Sequence, residues 1–450
     1  MATTIRAFNI GLYEEHLEEI SFLYEQRIAL LKNAEMGWRD IAPFEARLEA
    51  HIDALLVGRE LALEVCQRLA KEGDFGQLFA AVSVFCRQRQ APLLAEVLRT
   101  IDFADPQKVA AVADALKFEL PEEWSSFMAQ ALARREARLV AMLATVTGYR
   151  RLAFGADLID SLAQKPPEAQ QLIEAIGRLR AIEAEDVLAD YLLDVNSKFR
   201  NAALLALLRI GAVAPLPSVE VIVAQANLSM AIVALGAGRT MASGLLQLLQ
   251  AGEADSNCLL ALGLLGDPAT LRAIYSCLDA PELAESAAQA LYWITGASMD
   301  EEVFVPEEVD EQVLFKNELQ VWHQYKEAPK RVDGLPYGET SKKLSVDKEA
   351  WKRWFEENAA KFESKMRYRC GKPYSPASLL RDLAAEQSST PLRRFTALEL
   401  EIRYGCDVAF EIDMTVGAQI DAMRKMAGWI NAQGDRFQPG QWYFNAQLLR

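Results

Sequence analysis

A short apolar pattern that recurs about every 30 residues is the strongest constraint on the fold. Each copy has Ala, then Ile or Leu, two variable positions and an aliphatic residue, and most copies close with Gly or a polar residue. The successive spacings are 31, 25, 30 and 29 residues, and the copies are AIGRLR at 175–180, ALLRIG at 206–211, AIVALG at 231–236, ALGLLG at 261–266 and ALYWIT at 290–295. A helix pair repeating at this interval cannot bury its apolar face alone, so it stacks on its neighbours. The pattern therefore predicts an all-α fold built as an α-solenoid.

Residues at the ends of these copies support helix boundaries. Gly211, Gly236 and Gly266 stand where a helix C-cap favours a left-handed residue. Asp267 and Pro268 then follow as N-cap and first helical position of the next helix. The pattern predicts helical repeats over 172–298, with weaker copies between 76 and 165.

The rest of the chain divides by composition and periodicity. We predict long N-terminal helices over 1–75, the repeat solenoid over 76–300, and a C-terminal helical region over 347–450. The intervening residues 301–346 are acidic and then mixed in charge, with Pro and Gly. This composition predicts an irregular linker or insert.

Charge and cysteine usage limit the classes of partner and compartment. The formal charge of −15 repels a phosphate backbone, so nucleic acid is not an expected partner unless a local basic patch exists. The six cysteines form no C-x-x-C pair, which is typical of reduced thiols in a cytosolic protein. The first residues show no signal-peptide pattern, and no apolar run approaches the roughly 18 residues of a membrane span. We therefore expect a cytoplasmic protein without a membrane partner.

The segment 351–376, WKRWFEENAAKFESKMRYRCGKPYSP, differs from the Ala/Leu-rich text around it. A helix beginning after Asp347 would place Trp351, Trp354, Phe355 and Phe362 on one face, a spacing that favours a packed stripe. Residues 330–372 also hold twelve Lys or Arg against seven Asp or Glu. This local basic island could meet an anionic partner or nucleic acid. The candidate partner-binding residues are Trp351, Trp354, Arg367, Tyr368, Arg369, Lys372 and Tyr374.

No catalytic constellation is evident. Neighbouring arginines would favour the thiolate of Cys370 if the thiol were exposed, but no histidine is near in sequence to serve as its base. His16, His51 and His323 lack metal-ligand spacing, so surface or interhelix hydrogen bonds are expected for them. GAGRT at 236–240 lacks the Lys-Ser/Thr of a phosphate loop. The sequence predicts no catalytic or metal-ligating residue and no cofactor.

Three blocks carry a resemblance to a known family: FEARLEAHIDALLVG, WKRWFEENAAKFESKMRYRCGKPYS and STPLRRFTALELEIRYG. The repeats resemble the short HEAT-like repeats of phycobilisome lyases. Over nearly its full length, the chain resembles a proteobacterial family of uncharacterised HEAT-repeat proteins whose genes tend to lie near type VI secretion components. That resemblance implies an accessory, adaptor or chaperone role toward a secretion effector or spike component.

Three functions therefore compete. The first is a non-enzymatic protein–protein interaction scaffold, with the resemblance making it a cytoplasmic adaptor or chaperone for a type VI secretion effector. The second is a lyase-like enzyme that uses Cys370 or a carboxylate, by analogy with other short HEAT repeats. The third is a HEAT-type DNA-binding protein that uses the basic island, which the net charge disfavours. The sequence does not predict the oligomeric state.

Overall fold

The computed structural model describes residues 4–33, 36–212, 228–307, 309, 311, 314–331, 334–386 and 388–449. Within them the protein is mostly helical, as the predicted all-α class requires. The helices, numbered in chain order, are α1 Ile5–Lys32, α2 Ala42–Val57, α3 Arg59–Glu72, α4 Phe75–Arg87, α5 Ala91–Thr100, α6 Pro106–Glu119, α7 Ser125–Leu132, α8 Ala137–Arg150, α9 Gly155–Ala163, α10 Ala169–Leu179, α11 Glu185–Leu193, α12 Arg200–Ile210, α13 Met230–Gly236, α14 Arg239–Ala251, α15 Ser256–Leu265, α16 Leu271–Ser276, α17 Ala284–Thr295, α18 Lys316–Tyr325, α19 Lys348–Asn358, α20 Pro376–Ala384, α21 Thr390–Tyr404 and α22 Val416–Gln433. The strands are β1 Asp300–Pro306, β2 Gly338–Leu344, β3 Tyr368–Arg369, β4 Lys372–Pro373, β5 Tyr443–Phe444 and β6 Gln447–Leu448.

The five sequence repeats all fall on helices that pack in succession. They lie on α10, α12, α13, α15 and α17, and each of these helices contacts the next one in the series. The weaker repeat region extends the same row backward through α8, α6 and α4. One continuous apolar core follows this row. The middle of the chain is therefore a row of helices, each buried against its neighbours.

In two copies, the alanine that opens the repeat pattern lies where neighbouring row helices approach each other closely. A Cβ atom added at Gly177 of α10 would lie 2.8 Å from the Cα of Ala206, the first residue of the pattern on α12. A Cβ at Gly263 of α15 would likewise lie 3.0 Å from the Cα of Ala290 on α17. Small residues at both positions let the helix backbones approach this closely.

Most predicted helix ends agree with the structure, with one correction. Gly211 and Gly266 adopt positive φ at the ends of α12 and α15, and Asp267 accepts a hydrogen bond from the Ala269 N–H as an N-cap. Gly236 does not have the predicted left-handed conformation, because α13 includes it and ends in an extended cap. A Cβ there would lie 2.6 Å from a methyl group of Leu208, so packing accounts for this glycine.

The predicted irregular insert contains regular structure. Strands β1 and β2 pair antiparallel and, with α18 between them, form an arm over residues 300–344. The register sets Glu301 opposite Lys343 and Glu302 opposite Lys342. Opposite charges in facing positions stabilise a strand pair. The paired residues lie about 40 positions apart in sequence, so neither the acidic segment nor the mixed-charge segment shows the strand pairing by itself. The prediction of an irregular insert is therefore wrong for β1, β2 and α18.

The C-terminal region packs across the row and back onto the N-terminus. Helices α20, α21 and α22 share a second apolar core with Trp38 and Ile41, next to α2. Arg27 of α1 donates to the Asp413 carbonyl oxygen at 2.8 Å, which links the two ends of the chain. The division into four regions remains a prediction. None of the helices in the described residues is long and apolar enough to span a lipid bilayer.

Candidate functional site

The aromatic and basic segment that the sequence singled out lies largely inside the protein. Trp351 is buried, and its indole N–H donates to the Ser345 carbonyl oxygen at 2.8 Å. Arg367, Arg369 and Tyr374 are each 0% exposed. A partner cannot contact side chains that have no exposed area, so the structure corrects their prediction as partner-binding residues.

The remaining candidates differ in exposure. Tyr368 is buried, Trp354 is half-buried and Lys372 is exposed. Trp354 contacts Phe355 edge-on and Phe362 at a ring separation of 6.1 Å. The sequence also predicted that these aromatic side chains form a packed stripe on the helix, and the observed ring contacts agree with that prediction. Phe362 contacts this stripe, but the prediction that it lies on the same helix is wrong because α19 ends at Asn358.

Two buried arginines contact the C-terminal ends of row helices. Arg367 Nε donates to the Leu265 carbonyl oxygen at 2.7 Å, at the end of α15. Arg403 of α21 donates to the Ala234 carbonyl oxygen at 2.6 Å, at the end of α13, and to that of Ala237 at 3.2 Å. The last carbonyl groups of a helix lack intrahelical donors and carry partial negative charge. Both guanidinium groups are therefore placed where a helix end favours a cation.

One carboxylate lies among three arginines. Glu399 forms an ion pair with Arg369, and its oxygens lie 3.9 Å from Arg367 Nη2 and 3.7 Å from Arg403 Nε. All four side chains are 0% exposed. A single carboxylate cannot neutralise three guanidinium groups. The helix ends supply the remaining negative potential, which makes this cluster an electrostatic joint between α21, the 367–374 segment and the row.

Aromatic faces complete the surroundings of Arg367. Its guanidinium carbon lies 3.7 Å from the ring centre of Tyr374 and 4.3 Å from that of Trp442, so two rings enclose it. Burial, followed by the charge of Arg403, lowers the pKa of Arg367 to about 10. Burial also disfavours the charged form of Arg369, but the Glu399 carboxylate outweighs it and raises the pKa of that residue. Both side chains remain cationic at neutral pH.

Two tight hairpins dock on helix ends in the same way. In β3–β4 the N–H groups of Cys370 and Gly371 donate to the carbonyl oxygens of Trp293 and Ile294 at 2.8 and 3.0 Å. In β5–β6 the corresponding turn residues are Asn445 and Ala446, which donate to Ile402 and Arg403 at 2.9 and 2.8 Å. All four turn residues have positive φ, as in a type I′ turn. Each accepting pair occupies the same two positions before the helix end, in α17 and in α21.

The likeness of the hairpins extends to the residues before them. Tyr368 accepts a hydrogen bond from the Glu363 N–H, and Tyr443 accepts one from the Gln438 N–H, both at 2.9 Å. Trp354, Phe362 and Tyr368 recur after 75 residues, and the second set is Trp429, Phe437 and Tyr443. We call 348–375 the first helix–hairpin module and 423–449 the second. This duplication was not predicted, although the common offset of the three aromatic residues is visible in the sequence.

Cys370 does not have the environment of a nucleophile. Burial, followed by the charge of Asp382, raises the pKa of its thiol to about 12. The charges of Arg369 and Arg381 lower the pKa of the thiol, but burial and Asp382 together outweigh them. Arg367, another arginine near it in sequence, faces helix carbonyl groups instead. The thiolate was predicted only for an exposed thiol, and that condition is not met because burial dominates the environment of Cys370.

The histidines engage in side-chain contacts. His16 of α1 and His51 of α2 share an interhelix hydrogen bond between their Nδ1 atoms at 2.9 Å, as expected. Burial, followed by the charge of His51, lowers the pKa of His16. His323 lies 3.3 Å from a carboxylate oxygen of Glu311. In the described part of the chain, no group of three or more His, Cys, Asp or Glu side chains could hold a metal ion.

A second polar site lies in a cleft of about 420 Å³ between α10, α12 and α21. Glu411 accepts hydrogen bonds there from Arg178 Nε at 3.0 Å and Arg151 Nη2 at 3.1 Å. Burial disfavours its charged form, but Arg178, Arg209 and Arg151 together lower the pKa of the carboxyl. A carboxylate held ionised and doubly paired is suited to join elements rather than to transfer protons.

Comparison of the chain with protein-family models, with curated proteins and with solved structures finds no match.

Proposed function

We propose that this chain is a non-enzymatic protein–protein interaction scaffold whose helix row is an α-solenoid of HEAT-like repeats. The carrying observation is where large apolar side chains are exposed. Of sixteen such side chains among the described residues, seven lie on the arm. They are Phe304, Val305, Phe315, Val321, Tyr325, Leu335 and Tyr337. Exposed apolar surface concentrated on one element is typical of a protein-binding site.

The arm helix α18 offers the apolar surface for a partner. None of its residues is buried, and Phe315, Val321 and Tyr325 are exposed. The resemblance to HEAT-repeat proteins near type VI secretion genes makes the partner a secretion effector or a spike component. In this proposal the chain acts in the cytoplasm as its adaptor or chaperone.

Buried side chains count against part of the support for each of the two alternatives. The lyase-like enzyme used Cys370 or a carboxylate, and the Cys370 thiol stays protonated at neutral pH because burial raises its pKa. The DNA-binding protein relied on a basic surface. Arg367 and Arg369, two of its twelve basic residues, lie in the interior.

Affinity purification from the native cell tests the proposal, with each effector and spike component quantified. The wild type is expected to retain one of them, and the triple substitution Phe315→Ser, Val321→Ser and Tyr325→Ser to retain at least about tenfold less, since exposed apolar anchors dominate such contacts. Val57→Ser is the matched control, because Val57 is 82% exposed and lies on α2. Failure to retain any effector or spike component, or equal retention by the triple variant, contradicts the proposal.

A further inference from the structure

A groove of about 410 Å³ separates α16 from α19. Apolar side chains dominate its lining, including Leu271, Tyr275, Phe355 and Phe362. Tyr275 and Phe355 meet edge-on across it, with ring centres 5.8 Å apart. Tyr275 also donates to the Lys348 carbonyl oxygen of α19 at 3.4 Å, so the groove is an apolar trough whose walls meet around Tyr275.

In the second helix–hairpin module, the position that corresponds to Phe362 is covered by other side chains. Phe437, the counterpart of Phe362, is buried against Tyr404, Tyr443 and Trp429. Phe362 contacts the equivalent Trp354 and Tyr368 but stays half-exposed to the groove. Tyr404, one of the residues that cover Phe437, belongs to α21 and lies outside the second module. The first module thus leaves open an aromatic position that its duplicate covers.

Exposed charges at the groove specify the chemistry of an occupant. Arg272 of α16 and Lys352 of α19 contribute one cation from each wall, and both are exposed. Lys352 Nζ lies 3.7 Å from a carboxylate oxygen of Glu349 on the same helix, an exposed pair of the kind that contributes little free energy. Glu356 adds one carboxylate, which leaves the lining with net positive charge on a chain of −15. An apolar floor with cations on both walls complements an aromatic side chain next to carboxylates.

The chain itself presents that chemistry on β1. Asp300, Glu302 and Phe304 alternate along the strand, so they share one face of the two-stranded sheet. Phe304 is 44% exposed, and both carboxylates are exposed. We propose that the groove between α16 and α19 binds β1 of a second copy of this chain, with Phe304 in the trough and the two carboxylates facing Arg272 and Lys352.

We expect the exchange to be reciprocal, which closes the assembly at two copies. Each copy carries one arm and one groove, so two copies can satisfy both contacts around a twofold axis. The net charge of both copies opposes association, but screening at physiological salt confines that repulsion to about 8 Å. This inference goes beyond the proposed function, because α18, which carries effector binding there, takes no part in it.

Sedimentation analysis over a concentration series, combined with a mixing experiment, tests the proposal. The wild type is expected to show a reversible monomer–dimer equilibrium. Phe304→Ala alone, and Arg272→Glu with Lys352→Glu, should each raise the dissociation constant by about tenfold or more. A mixture of these two variants should form heterodimers through one intact contact, since one supplies the groove and the other the arm. Arg353→Glu, an exposed neighbour outside the groove lining, should dimerise like the wild type.

A labelled peptide of residues 299–307 makes the test independent of arm folding. It should bind wild-type protein and Phe304→Ala protein, and it should lose binding to the groove variant. A wild type that stays monomeric and binds no peptide overturns the proposal, as does a dimer unaffected by both variants. Binding of an acidic effector segment in the groove, with no binding of 299–307, also overturns it and assigns the groove to a different partner.

Discussion

Arg403 and Ala234 join the C-terminal region to the helix row: the guanidinium of Arg403 donates to the Ala234 carbonyl oxygen at 2.6 Å. The two residues are 169 positions apart in sequence. The same guanidinium donates to Ala237 at 3.2 Å and to Tyr443 at 3.0 Å. One side chain of α21 therefore connects the end of α13 with the β5–β6 hairpin.

Replacing Arg403 with Met should destabilise the whole protein. The substitution leaves the carbonyl oxygens of Ala234 and Ala237 buried without their cation, at a cost of about 3–5 kcal/mol for breaking a buried charged network. Urea denaturation followed by circular dichroism measures this loss. Arg424→Ala removes an exposed arginine paired with Asp421 and should change stability by less than about 1 kcal/mol. Equal stabilities of the two variants would contradict the electrostatic joint.

Glu399→Gln should also destabilise the protein, in this case because it removes a buried anion instead of a buried cation. It removes the carboxylate shared by Arg367, Arg369 and Arg403 and leaves three buried cations facing helix ends alone. A loss of about 3–5 kcal/mol is expected for an uncompensated buried charge. Combining it with Arg369→Met should recover part of the loss, because the double variant buries one cation fewer. Additive losses in a double-mutant cycle would argue against direct coupling.

Local sequence patterns predicted the helices well. The repeat copies, the N-cap at Asp347, the proline near the start of α2 and the helix end at Gly405 depend on residues within one or two turns. Such signals act through backbone conformation and short-range hydrogen bonds, so they are visible in a single sequence.

Long-range pairing explains what the sequence did not reveal. The exposure of Arg367 depends on the carbonyl groups of Leu264 and Leu265, about 100 positions earlier. The β1–β2 arm depends on the register between residues about 40 apart. A cluster of arginines near aromatic residues fits either a surface patch or a buried joint. Only the tertiary arrangement, which brings helix ends to these arginines, distinguishes the two.

The Cys370 thiol should react slowly with alkylating reagents in the native protein. Burial, followed by the charge of Asp382, raises its pKa to about 12. Its thiolate fraction at pH 8 is then roughly a thousandfold below that of an ordinary cysteine, whose pKa is about 8.5. Iodoacetamide labelling with peptide mapping measures the rate at each cysteine. Urea-unfolded protein provides the reference, and native labelling of Cys370 at the unfolded rate would refute the buried thiol.

Glu411 should contribute to stability at neutral pH and lose that contribution in acid. Arg178, Arg209 and Arg151 outweigh the effect of burial and lower the pKa of its carboxyl below the ordinary value of 4.5. The contribution is therefore fully present above that value and disappears as the pH falls through the folded-state pKa. Glu411→Gln should be less stable than wild type at pH 7, and the difference should shrink below pH 4.5. Asp421→Asn, at an exposed pair, should show no such convergence. A pH-independent difference for Glu411→Gln would contradict the pairing.

Gly266 and Gly252 offer a matched test of hairpin docking. Both end a helix in the left-handed conformation, with φ of +69° and +75°, so a side chain strains either site by about 1–2 kcal/mol. A Cβ at Gly252 meets no atom within 4 Å, whereas one at Gly266 overlaps the Tyr368 carbonyl oxygen at the start of the β3–β4 hairpin. Gly266→Ala should therefore cost about 1–3 kcal/mol more than Gly252→Ala, the usual range for overpacking. Thermal and urea unfolding of both variants measures the difference. Equal losses would mean that the hairpin does not sit against the end of α15.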